Sequence, residues 1–162
     1  MRKIIVMIKF LSIVISGVNA QNIARNAIGL RLGDNDGFGS EISYQHELVQ
    51  NTRLEVDLGF RNHTSYDAFK LSGLHQWVWN IDDRFNWYAG FGAGIGSWSA
   101  GTDYTGSGDD GLFLNADGNI GVEYDFEIPL LMSLDFRPEI GILGDYGKST
   151  DIDVALSVRY QF

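Results

Sequence analysis

Between residues 26 and 162 apolar and polar side chains alternate with a period of two, in eight blocks of roughly ten residues separated by turn-forming segments. Such alternation places successive side chains on opposite faces of a strand. The third block, 53–62, is the cleanest, setting Leu54, Val56, Leu58 and Phe60 against Arg53, Glu55, Asp57, Gly59 and Arg61. The last, 152–162, sets Ile152, Val154, Leu156, Val158, Tyr160 and Phe162 against residues such as Asp153, Ser157 and Arg159. The other six are read at 26–33, 38–48, 68–79, 84–96, 112–124 and 130–144. Pro138 falls inside the seventh, and because proline cannot donate to a ladder, a bulge or local break is expected there.

The connections alternate in length. Those near 49–52, 80–83 and 125–129 are short, whereas the others include the longest, Ser97 to Gly111, rich in Gly, Ser and Asp. An even number of strands with short turns at one end predicts an all-β, eight-stranded antiparallel up-and-down transmembrane barrel, its apolar face in lipid. Aromatic residues near the strand ends fit two interfacial girdles. Trp77, Trp79, Phe85, Trp87, Tyr124, Phe126, Tyr160 and Phe162 fall toward the short-turn, periplasmic end, and Phe38, Phe60, Phe69 and Phe113 toward the exterior. A soluble barrel with an inward apolar face would share the period. It would not explain a charged opposite face together with aromatic strand ends.

The amino terminus carries Arg2, Lys3 and Lys9 around a mostly apolar stretch, Ile4 to Ile15, with Val18 and Ala20 at the spacing of a cleavage site. This reads as a signal peptide over residues 1–20, leaving residues 21–162 as a single barrel domain. Its removal takes the formal charge from −9 to −12, because the leader holds three basic residues and no acidic one. So acidic a chain lacks the clustered Lys and Arg that nucleic acid requires. There are no cysteines, hence neither disulfides nor thiolate metal sites.

Val158, Tyr160 and Phe162 resemble the carboxy-terminal signal by which bacterial outer-membrane barrels are recognised by the insertion machinery. Segments 87–96 (Trp-Tyr-Ala-Gly-Phe-Gly-Ala-Gly-Ile-Gly) and 133–141 (Ser-Leu-Asp-Phe-Arg-Pro-Glu-Ile-Gly) look like recurring strands of the outer-membrane β-barrel domain family of Bacteroidetes-like bacteria. The whole chain from residue 21 resembles the small barrels of the OmpA-transmembrane-domain and OmpX type. That resemblance implies an integral protein of the Gram-negative cell outer membrane, in contact with membrane lipids and lipopolysaccharide. It implies architecture far more sharply than activity.

The inward positions are charged: Arg31, Arg61, Lys70, Arg137 and Arg159 against Glu41, Glu55, Asp57, Asp117, Glu123, Asp135, Glu139 and Asp153. An eight-stranded barrel is just wide enough for its own side chains, so these are expected to lock into a plug of ion pairs. Gly90, Gly92, Gly94 and Gly96 point the other way, toward a bare inner wall and a narrow solute path. A tightly curved wall also needs small residues opposite large arginines. Enzymatic readings are weak. His63-Thr64-Ser65 has the His-x-Ser spacing of lipid A deacylases, yet Tyr66 stands where their motif has asparagine, and no glutamate lies between Glu55 and Glu123. His46 and His75 are placed on the lipid-facing register near the periplasmic ends. Asp34-Asn-Asp-Gly37 reads as a tight turn, since the calcium-loop pattern stops there. No cofactor, catalytic residue or metal is expected. The outer loops, with Asp34, Asp36, Asp67, Asp103, Asp109, Asp110 and Asp145 against Lys148 alone, predict repulsion from lipopolysaccharide phosphates unless divalent cations bridge the two. The sequence thus points to a non-enzymatic envelope or surface barrel, with a narrow conduit as the alternative and a lipid A-modifying enzyme behind both.

Overall fold

A computed structural model describes residues 23–33, 39–63, 66–100, 111–144 and 150–162, with the backbone alone for 61–63, 66 and 100. The expected leader 1–20, Asp34 to Phe38, Thr64 and Ser65, the tip of the longest loop and Asp145 to Lys148 lie outside the described residues. The strands are β1 (Asn26–Gly33), β2 (Ser40–Val49), β3 (Thr52–His63), β4 (Tyr66–Asp82), β5 (Phe85–Ala100), β6 (Gly111–Asp125), β7 (Leu130–Leu143) and β8 (Thr150–Gln161). Each pairs antiparallel with its chain neighbours, and β8 closes on β1. Backbone bonds between Asn26 and Phe162, 2.9 and 3.1 Å long, finish the seam. Closure leaves no edge, which lipid requires because it offers no partner to a free amide or carbonyl.

Turns at one end are short: residues 50–51, 83–84 and 126–129. Asn51 and Asp83 carry the positive φ these tight reversals need, 64° and 32°, a region where Asn and Asp are favoured over other non-glycine residues. At the opposite rim β3 and β4 are joined by residues 64–65 alone. The predicted loop 97–111 is shorter than expected, because β5 continues to Ala100 and β6 starts at Gly111.

The outer wall is apolar. Ile42, Leu54, Phe91, Ile120, Leu134 and Leu156 are among many large hydrophobics facing outward, as lipid contact demands. Trp79 stacks on Trp87 at 4.4 Å, Phe85 meets Tyr124 at 4.7 Å, and Tyr124 meets Phe126 at 4.7 Å, all toward the short-turn end. At the rim Phe60 and Phe69 are exposed partners on β3 and β4. Phe113 departs from the expected girdle: it points inward, 4% exposed, and packs with Ala68 and Trp98. It shares the odd-numbered face of β6 with Asn115 and Asp117, and the period outranks its position along the strand. His75 stands near the middle of β4 rather than at its end, edge-on to Trp77 at 4.6 Å.

Pro138 does not shift the register. β7 runs through it and keeps one register against β8. Against β6, the ladder pairs Asp117 with Glu139 and Ile120 with Phe136 and skips the two positions between. Gly118 lies opposite, where a Cβ would come within 3.0 Å of the proline ring. The bulge sits higher, where Leu114 pairs with Leu143 and Asn115 with Gly141, leaving Ile142 as the extra residue.

Candidate functional site: the charged interior

The inward faces of all strands except β5, which holds no charged residue, contribute one or more charges to a network that crosses the barrel. Arg31 on β1 bonds Asp135 on β7 at 2.6 Å, Glu41 on β2 at 2.9 Å, and Asp153 on β8. Arg137 on β7 reaches the same Glu41 at 3.1 Å, and also Asp57 and Glu55 on β3. Arg159 on β8 holds Glu55 at 3.0 Å and donates to Ser43 and Ser133 at 2.9 and 2.8 Å. Glu41 and Glu55 each bridge two arginines, so three guanidinium groups and five carboxylates form one body. Their planar forks suit this, since several donors on one rigid group satisfy several carboxylates at once.

Below this body, toward the short turns, Arg53 lies 2.8 Å from Glu123, donates to Gln76 at 2.7 Å, and stacks 4.7 Å over the Tyr88 ring. Gln76 passes the chain of bonds to Asn119 at 2.8 Å. Above it, Lys70 pairs with Glu139, and Asn115 donates to Asp117. Leu74, Val78, Leu131, Ala27 and Ala155 are buried apolar members of the interior. The cluster of Phe113, Ala68 and Trp98 covers the top.

Of the expected interior charges, all but one are placed inside. The side chain of Arg61 lies outside the described residues. Arg53 belongs to the network although only its alternation with Leu54 signalled it, and Tyr88, Gln45, Gln76 and Asn119 join it as uncharged members. Arg31, Arg137 and Arg159 are each 0% exposed, sealed from solvent by the described residues around them.

The glycine wall is occupied by its neighbours. A Cβ at Gly96 would meet the Phe113 ring at 2.3 Å, one at Gly94 would meet Asn115 at 2.7 Å and Lys70 at 3.0 Å, and one at Gly90 would meet Gln76 at 3.0 Å. These glycines make room for large side chains opposite. At the short-turn end, a pocket among Ala27, Arg53, Asn86, Glu123, Asp125 and Gln161 has room for about one water molecule. Among the described residues no group of three or more His, Asp or Glu side chains could hold a metal ion. Tyr160 on β8 and Phe162 just beyond it point outward, their rings stacked at 6.3 Å, and Val158 shares that face. His46 is exposed on the outer wall, 2.9 Å from Asn26 Oδ1.

Neither a protein-family model nor a curated protein matches this sequence. Solved structures do. Neisserial surface protein A is 13% identical at a TM-score of 0.55, with 85% of this chain and 94% of that chain covered. The attachment invasion locus protein Ail of Yersinia pestis, in complex with the heparin analogue sucrose octasulfate, is 14% identical at 0.55, with 85% and 96% covered. A de novo designed transmembrane β-barrel is 15% identical at 0.55, with 89% and 100% covered. At such identities the likeness is one of architecture, and the designed barrel reaches it without sharing any biological task. With its closed antiparallel sheet, apolar wall and ion-paired inside, the chain has the fold of the small eight-stranded transmembrane β-barrels.

Proposed function

We propose that this protein is a non-enzymatic barrel of the Gram-negative outer membrane, exported by its leader, with a closed lumen, acting through its outer loops or as an envelope support. The observation that carries the closed lumen is the complete burial of Arg31, Arg137 and Arg159 across the barrel. Buried charges are costly to separate once paired, so the ion-paired body stays shut rather than flickering open. With the inside committed to holding the wall together, the outer surface is left for contact with other molecules. Lipid and lipopolysaccharide meet the wall, and the insertion machinery reads Val158, Tyr160 and Phe162.

Ail is crystallised with a sulfated sugar. This chain is a poor candidate for such a polyanion, since Asp67 and Asp151 are exposed at its rim and its outer loops carry further aspartates and one lysine. A basic partner, or lipopolysaccharide phosphate bridged by divalent cations, fits the charge. Conductance tests the central reading. Refolded protein whose insertion is established by a heat-dependent gel shift is expected to be silent in planar bilayers. Discrete, reproducible openings would overturn the closed lumen and make the conduit the leading function.

A further inference from the structure

Among the described residues, every buried interior carboxylate but one lies within ion-pair distance of an arginine or of Lys70. The exception is Asp117 on β6, 3% exposed. Its Oδ1 accepts from Asn115 Nδ2. Its Oδ2 and the Asn115 Oδ1 are both sealed from solvent and accept no hydrogen bond from the described residues, and Asn115 is itself only 4% exposed. Buried acceptors left in that state are destabilising, a charged one most of all.

Directly across the ladder from Asp117 is Glu139 on β7, and like charges in opposed positions repel. Lys70 is engaged by Glu139, so one ammonium serves two carboxylates. Asp151, the next residue along that row on β8, is exposed at the rim and outside the buried group. The space beside Asp117 is kept by Gly94, over which Asn115 and Lys70 lie side by side. Asp117 Oδ2, Asn115 Oδ1 and the Glu139 carboxylate therefore sit on neighbouring positions of β6 and β7, and among the described residues they carry one negative charge in excess of Lys70.

We infer that Asp117, Asn115 and Glu139 form a site for one sodium ion, seated between the arginine body and the apolar cap of Ala68, Phe113 and Trp98. Charge favours a monovalent ion, since a single positive charge neutralises the group. Calcium takes six to eight oxygens, several of them from carboxylates, and two carboxylates with one already bound to lysine fall short. The inference concerns the inside of the folded barrel and does not depend on what the loops bind.

The test is the thermal unfolding midpoint of the refolded full chain in detergent. Sodium is exchanged for N-methylglucamine at constant ionic strength and pH, with calcium as a separate arm. An ion that binds only the folded state raises the midpoint. The wild type is expected to gain about 3–6 °C when sodium reaches ten times its dissociation constant, and Asp117→Asn to lose that dependence. Asn115→Leu, which keeps both carboxylates, should move the half-effect sodium concentration upward, and the sodium-23 line should broaden with wild type alone. An identical wild-type midpoint in both cations overturns the site. So does an unchanged sodium response in Asp117→Asn. Stabilisation by micromolar calcium that Asp117→Asn abolishes overturns the monovalent assignment.

Discussion

Arg137 on β7 and Asp57 on β3 meet inside the barrel across 80 positions of sequence. Neither is adjacent to the other's strand, so their bond runs across the lumen and ties opposite walls together.

Replacing that arginine should expose how much the network contributes. Arg137→Met leaves Asp57 without an ion-pair partner among the described residues and takes one from Glu41 and one from Glu55, which costs about 3–5 kcal/mol when buried charges are stranded. Arg84 and Glu127, paired at 2.8 Å on the exposed turns, supply the comparison, and Arg84→Met should cost about 0–1 kcal/mol. Urea midpoints of the two refolded variants measure the difference. Equal shifts would mean that the interior pairs do not hold the fold.

Two glycines on adjacent strands should respond oppositely to one methyl group. At Gly92 a Cβ would sit 1.9 Å from the Gly73 carbonyl oxygen, whereas at Gly73 it would meet nothing within 4 Å. Gly92→Ala is expected to abolish the heat-shiftable folded band. Gly73→Ala should fold with stability within about 0.5 kcal/mol of wild type.

Charge on the outer wall should be penalised by depth. Leu156, outward near the middle of β8, should cost about 2–4 kcal/mol as Leu156→Arg, and Tyr160→Arg near the short-turn interface about 0–1 kcal/mol. Equilibrium unfolding from lipid vesicles reads both. Similar penalties at the two sites would contradict a membrane midplane near Leu156.

Phe162 separates insertion from stability. Its backbone closes the seam with Asn26, while its ring is 60% exposed. Phe162→Ala should refold in detergent as wild type does, yet accumulate in the outer membrane to a several-fold lower level. Normal accumulation would remove the signal role from Tyr160 and Phe162.

Strand count, order and facing were legible in the sequence because a half-lipid, half-polar environment forces a period of two. What escaped was whatever the period does not encode. The end of β5 was missed because Ser97 to Ala100 leave the apolar pattern while the hydrogen-bonded ladder continues. Phe113 was misplaced because an aromatic near a strand end suits a girdle, although its parity put it inside. The Ile142 bulge follows two apolar residues, Ile142 and Leu143, that alternation alone cannot assign to faces. Of the site, the inward charges were readable one by one. Their pairing was not, because contacts such as Arg159 with Glu55, 104 positions apart, depend on how the sheet is staggered when it closes.

A polar inside also changes how this fold should respond to temperature. The heat capacity of unfolding rises with apolar surface newly wetted and falls with polar surface newly wetted. If the unfolded chain stays in detergent, the outer wall remains covered, and what water gains is the inside, built from arginines, carboxylates, amides and hydroxyls. The heat-capacity increment should then be small or negative. Stability would vary almost linearly with temperature, without the curvature that brings ordinary water-soluble domains to cold denaturation.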